Sequence, residues 1–302
     1  HAIQFGYDVF EFEYLSGDPD SIRTYWQELS ATWMEEVVYD YINDYLGYMP
    51  FFYNYPWLSL RTFSVNFSRP EKVFHPYASC VWGFYLQERY GTDIIKRIWD
   101  KCAAIRGFNL FSATDEALRE VTGDTGFAEA YGEFTVWNYF VGNRAILGNF
   151  YNEASQFGVN MRIDTIHTVA TNVPVIVPSG VKSKPPENLG ANYVVFDPNP
   201  LSNQDTGGLR MDFIPTAADS LAGWKITAIP HRVGFAPKPK EFLYSFPLGR
   251  GEISNWDTYN SIIMVPTPIN FGRSFAGLQY GYKVLYDSSL TGPEAFPSRD
   301  TI

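Results

Sequence analysis

The first half of the chain repeats its apolar residues at helical spacing. Asp20 and Ser21 offer N-caps to an apolar run from Ile22 to about Tyr45. At 100° per residue, Ile22, Trp26, Leu29, Trp33 and Val37 form one stripe, while Ala31, Met34, Val38 and Ile42 fall on other sides. A helix apolar nearly all round is predicted to be buried. An aromatic loop, Pro50 to Pro70, comes next. Helices are predicted over about Pro76–Tyr90 and Thr92–Arg106, with Gly91 breaking the pair, and again over Asp115–Val121 and Phe127–Phe140.

The pattern changes after about Gly158. Pro174, Pro178, Pro185 and Pro186 mark a linker or edge segment. Short β-type runs follow at Asn192–Phe196, Leu209–Ile214, Trp224–Pro230, Phe242–Phe246, Ser261–Val265 and Leu278–Tyr286. Strands at this spacing with no helical pattern between them predict a β-sandwich-like domain. The expected class is α+β: a mainly helical domain over residues 1–160, a linker over 161–190 and a β-sandwich-like domain over 191–302. The chain opens at His1 inside an apparent element, so the sequence is expected to be processed or part of a longer protein.

Composition narrows the function classes. The formal net charge is −10, and the densest basic stretches, Lys182–Lys184 and Lys238–Lys240, are interrupted by other residues. That argues against nucleic acid as a partner. An acidic surface favours solubility and attracts divalent cations. No run of eighteen apolar residues is present, so no transmembrane segment is expected.

Glu28 and Glu35 lie seven apart on the first long helix and share a face with Ala31, Val38 and Ile42. A buried Glu28 requires a metal, an arginine or a set of hydrogen-bond donors. The alternative is a partly exposed face with ordinary salt bridges. The run Tyr25-Trp26-Gln27-Glu28-Leu29-Ser30-Ala31-Thr32-Trp33 resembles the segment that supplies the third zinc ligand in gluzincin peptidases, with Leu29 where glycine is usual. His1-Ala2-Ile3-Gln4 resembles the end of an HExxHAIQ motif. Together with Glu36-Val37-Val38-Tyr39-Asp40, Asn43-Asp44-Tyr45 and Gly83–Gly91, these runs resemble a family of secreted bacterial zinc metalloproteases with a β-sandwich after the helical part.

The resemblance implies zinc as cofactor, His1 and Glu28 as metal ligands, a peptide or protein substrate, and an extracellular or cell-surface location. Two histidines four apart on a helix reach one zinc, and a glutamate beside the first activates water. In this numbering the first histidine and that base would precede residue 1. A remnant with two ligands is not expected to hydrolyse peptides as written. The resemblance also places Tyr77, or His75, near the oxyanion, against a packing role for either. His167 and His231 carry no motif. A copper site on an N-terminal His1 is disfavoured, because such enzymes do not open with a helical domain.

Two other classes compete: a non-catalytic surface, filament or adhesion protein contacting neighbouring surface proteins, and a carbohydrate or ligand binder. The second would use the aromatic loop, with Tyr53 and Trp57 as substrate-binding side chains. Such aromatics more often pack over a core. The β-domain is expected to do no chemistry, with Asp197, Asp205, Asp212 and Asp219 in or beside turns. Cys80 and Cys102 each lie eleven residues from Gly91, so an antiparallel helical pair would set them at one height. The expectation is a disulfide worth roughly 3 kcal/mol. The alternative is two separate buried thiols.

Overall fold

The computed structural model describes residues 1–7, 24–104, 110–169, 175–178, 184–198, 207–215, 223–245, 247–270 and 277–291. The class is α+β. The chain divides into two compact units. The first comprises His1–Arg162 with Pro186–Ala191 and Thr267–Ala276; the second comprises Ile163–Pro185, Asn192–Pro266 and Gly277–Ile302.

The first unit is helical. Its elements are α1 (Ala2–Tyr7), α2 (Thr24–Val38), α3 (Met49–Tyr53), α4 (Pro70–Val73), α5 (His75–Ala78), α6 (Cys80–Tyr90), α7 (Asp93–Ala104), α8 (Leu110–Thr122) and α9 (Phe127–Trp137). The expected caps Asp20 and Ser21 lie outside the described residues. Helix α2 stops at Val38, short of the predicted Tyr45. Its last turn is acidic and carries no basic side chain, which opposes the negative C-terminal end of a helix. The chain then turns through Asn43, whose φ of 57° lies in the left-handed region that asparagine tolerates. Only the first part of α2 is buried all round: Tyr25, Trp26, Leu29 and Trp33 are inside, but Met34, Val37 and Val38 are exposed.

The predicted Pro76–Tyr90 helix is two pieces, because Ser79 turns its hydroxyl back onto the His75 carbonyl at 2.8 Å. Gly91, at φ 93°, ends α6 as expected. Gly83 lets α6 approach α2 closely, since a Cβ there would stand 3.0 Å from Trp33 Cγ. The Trp33 indole N–H meets Gln87 Oε1 at 2.6 Å across the same junction. The core is aromatic: Trp82 is 1% exposed and packs against Tyr85, Phe127, Tyr131 and Phe134.

Part of the predicted linker belongs to this unit. The Leu189 carbonyl accepts from the Tyr131 hydroxyl at 2.6 Å and from the Leu60 amide at 3.0 Å. The Glu187 carboxylate accepts from the Ser59 amide and the Thr62 hydroxyl. Gly190 allows the close approach, because a Cβ there would stand 2.3 Å from the Trp57 carbonyl oxygen. The Leu189 amide donates to the Pro268 carbonyl, and Asn188 and Asn270 exchange two hydrogen bonds.

The second unit holds two five-stranded sheets, one strand of which runs on into residues Thr267–Ile269 of the first unit. The first sheet has the order β1 (Thr165–Val169), β3 (Val194–Pro198), β9 (Ser261–Ile269), β5 (Gly223–His231), β6 (Lys240–Glu241). The second has the order β2 (Val175–Pro178), β10 (Tyr280–Asp287), β4 (Gly208–Pro215), β8 (Leu248–Ile253), β7 (Leu243–Ser245). β1 and β3 run parallel; β10 pairs antiparallel with β4, Tyr282 opposite Phe213. Side chains of the two sheets meet: Trp224 on β5 lies 4.9 Å from Phe213 on β4 and 5.7 Å from Tyr280 on β10. Asp212, expected in or beside a turn, is instead within β4 and pairs with Arg250 at 2.8 Å. Asp197 lies in β3; Asp205 and Asp219 lie outside the described residues.

Candidate functional site

The first unit contains a groove of about 770 Å³. His1, just before α1, lines its wall together with Glu28 and Glu35 of α2 and Tyr77 of α5. Residues that the sequence separates by 27 and 49 positions thus converge. His1 Nε2 stands 3.3 Å from Glu28 Oε2, and the Glu28 side chain is 20% exposed. The Tyr77 hydroxyl hydrogen-bonds the Glu28 carboxylate.

The orientation of His1 follows from Gln4, three residues on. His1 Nδ1 lies 2.7 Å from Gln4 Oε1. The Gln4 amide group donates to the Gln27 carbonyl at 2.9 Å and to Ser30 Oγ at 2.8 Å. With its NH2 committed to α2, Gln4 can only accept from His1, so Nδ1 carries a proton. Nε2 is then directed at the Glu28 carboxylate. Two acceptors at that separation repel unless a proton or a cation lies between them.

Burial pushes the Glu28 carboxyl up from its ordinary value, and Glu35 adds to the rise; the Tyr77 hydrogen bond opposes it. Burial and the neighbouring Glu28 push the Tyr77 hydroxyl up as well, so it keeps its proton and donates. Tyr77 is braced by stacking on Tyr48, with ring centroids 5.2 Å apart. Ile3, Met34, Val37 and Val38 give the groove its apolar side.

Three of the sequence-predicted residues, His1, Glu28 and Tyr77, therefore come together. Tyr53 and Trp57 do not join them. Tyr53 is fully buried, its hydroxyl directed to Asn138 Oδ1, and Trp57 is 7% exposed beneath the Arg162 guanidinium. Both are core aromatics, and neither lines the groove. His75 is also interior: it stacks on Phe52, and its Nδ1 lies 3.0 Å from the Phe51 carbonyl. Burial pushes its ring pKa down. In the second unit, His167 Nε2 lies 2.7 Å from the Tyr282 hydroxyl, a packing role.

The expected Cys80–Cys102 disulfide is not formed, and both cysteines are buried. Equal distance from Gly91 sets height but not rotational phase. Cys102 lies on the apolar stripe of α7 with Ile94, Ile95, Ile98 and Trp99. Cys80 is the first residue of α6 and is fully buried.

Sequence reasoning did not single out Gln4 or Ser30 as the residues that position His1. The available signal was the i, i+3 spacing of His1 and Gln4. Comparison of the sequence with protein-family models and with curated proteins finds no match.

Proposed function

We propose that the groove is the peptidase site of a gluzincin-like zinc endopeptidase, with His1 and Glu28 as two of its metal ligands. The other histidine and the general-base glutamate of the HExxH pattern would come from residues preceding His1. The observation that carries this reading is the 3.3 Å approach of His1 Nε2 to Glu28 Oε2. Donor atoms about 2.0–2.2 Å from a tetrahedral zinc lie about 3.3–3.6 Å from one another. The imidazole and carboxylate donor set also suits zinc.

Zinc would supply Lewis acidity and an activated water at this position. The chain's own residues have separate tasks. Gln4 holds the His1 ring by its Nδ1 and leaves Nε2 toward the ligand position. Tyr77, kept protonated, presents a hydroxyl donor beside Glu28, placed to stabilise negative charge on a reacting carbonyl oxygen. The apolar side of the groove suits a peptide with large apolar side chains. An extracellular or cell-surface location accompanies this proposal through the family resemblance alone.

The test is metal content in the chain carrying its upstream residues. We expect near-stoichiometric zinc, lost in Glu28→Gln, and peptide hydrolysis that falls in parallel. Zinc retained in Glu28→Gln would remove Glu28 from the ligand set. A zinc-free wild type that still bound peptide in the groove would favour the non-catalytic class.

A further inference from the structure

A second group of acids lies at the other end of α2. Glu36 in its last turn, Asp40 in the turn that follows and Glu153 after α9 place carboxylate oxygens within 4.8 Å of one another. Among the described residues, no lysine, arginine or histidine is recorded in an ion pair with any of the three. The arrangement is electrostatically uphill twice over. Like charges four residues apart repel, and acids at a helix C-terminus face its negative end.

An independent observation concerns orphaned oxygens. Glu36 Oε1 and Asn43 Oδ1 are both shut off from solvent, and neither has a hydrogen-bond partner. An unsatisfied buried acceptor is unfavourable, so two beside one acidic cluster call for a ligand that supplies positive charge. Asn43 is tied into the group: its backbone N–H hydrogen-bonds Glu36, and its side-chain NH2 donates to the Asp40 carbonyl at 3.1 Å. That NH2 commitment leaves Oδ1 as a pure acceptor. Glu153 is held in place by the Tyr45 hydroxyl at 2.5 Å and by Gln156 at 2.9 Å.

We propose that Glu36, Asp40, Glu153 and the Asn43 side-chain oxygen form a calcium site that fastens the end of α2 to the segment after α9. All four donors are hard oxygens, the set that suits calcium, with none of the nitrogen or sulfur ligands that zinc sites usually include. Calcium's tolerance of irregular coordination fits donors drawn from a helix end, a turn and a distant segment, where magnesium demands near-ideal octahedral geometry. The site is separate from His1 and Glu28, and needs nothing upstream of residue 1.

The experiment is thermal unfolding of the full chain, EDTA-treated and then titrated with calcium chloride near pH 8, with terbium luminescence as a direct readout. Calcium at a hundredfold excess over its Kd should raise the Tm by about 5–10 °C. Terbium should be displaced by calcium. Glu36→Gln and Asp40→Asn should each lose the calcium response, and Glu28→Gln should keep it. Asp40 is exposed, so its asparagine variant folds and decides the matter if Glu36→Gln does not. An unchanged Tm at millimolar calcium, or a full response in Asp40→Asn, would overturn the site. An equal response to magnesium would overturn its assignment to calcium.

Discussion

Replacing Gln4 by leucine asks whether helix α1 is held to α2 by polarity or by apolar contact. Ile3 and Phe5 are 68% and 48% exposed, so apolar burial contributes little to docking this short helix. Gln4 is 7% exposed and bonds two acceptors on α2 while holding His1. Leucine fills similar volume and makes none of these bonds. Each net hydrogen bond is worth about 1 kcal/mol, and a stranded acceptor adds to that. Ser30 Oγ keeps its own bond to the Trp26 carbonyl, so the added penalty stays small and leucine's apolarity offsets part of it. The net loss is about 2 kcal/mol, roughly a 30-fold rise in the local opening equilibrium. Hydrogen exchange at the Phe5 amide, which donates to the His1 carbonyl at 3.0 Å, reads this directly. Its protection should fall about 30-fold with the Tm almost unchanged. Unaltered protection would refute the reasoning; an equal loss at every core amide would show that α1 opens only with the whole unit.

Two further outcomes follow from charge and from the thiols. In EDTA, stability should fall as pH rises from 4.5, the ordinary value for glutamate, toward 7. Glu36 and Glu88 are each pushed up to about 7, chiefly by burial, so the folded chain binds more protons than the unfolded chain across that window. Solvent access limits the effect to about 1 kcal/mol per group; a Glu36→Gln/Glu88→Gln variant should flatten the slope in urea melts, and an unchanged slope would reject the assignment. Thiol labelling should find Cys80 and Cys102 unreactive in the native chain and two reactive thiols per chain after unfolding without reductant. Absence of label in the unfolded chain would mean a disulfide.

Much of the site was legible because its residues sit in two local patterns. His1-Ala2-Ile3-Gln4 and the tryptophan-rich run around Glu28 each occupy one helix, where spacing dictates facing. What the pattern hid was orientation over distance. Tyr53 and Trp57 read equally well as a binding platform or a core, and only packing decides. The missing disulfide is a matter of helical phase. β8 was missed because Gly249 and Gly251 carry no strand signature; at Gly251 an added Cβ would stand 2.3 Å from Phe242, whose ring occupies that space. β2 fell inside a proline-rich stretch. The acidic site was half visible, as Glu36 and Asp40 four apart, but Glu153 is more than a hundred residues away.

The interleaving of the two units has a consequence for how the protein comes into being on the ribosome. The helical unit draws its last strands of support from Leu189 and from Pro268 and Asn270. Between Arg162 and Pro268 the ribosome adds 106 residues, most of them belonging to the other unit. At 5–20 residues per second that is about 5–20 s during which the helices have emerged but their closing segments have not. Tyr131 waits for the Leu189 carbonyl, and Leu189 waits for Pro268. A nascent chain halted near residue 162 would therefore carry an unfinished helical unit. Neither unit is one continuous stretch of the chain, so a truncation at any single point after Arg162 and before Thr267 leaves the helical unit incomplete.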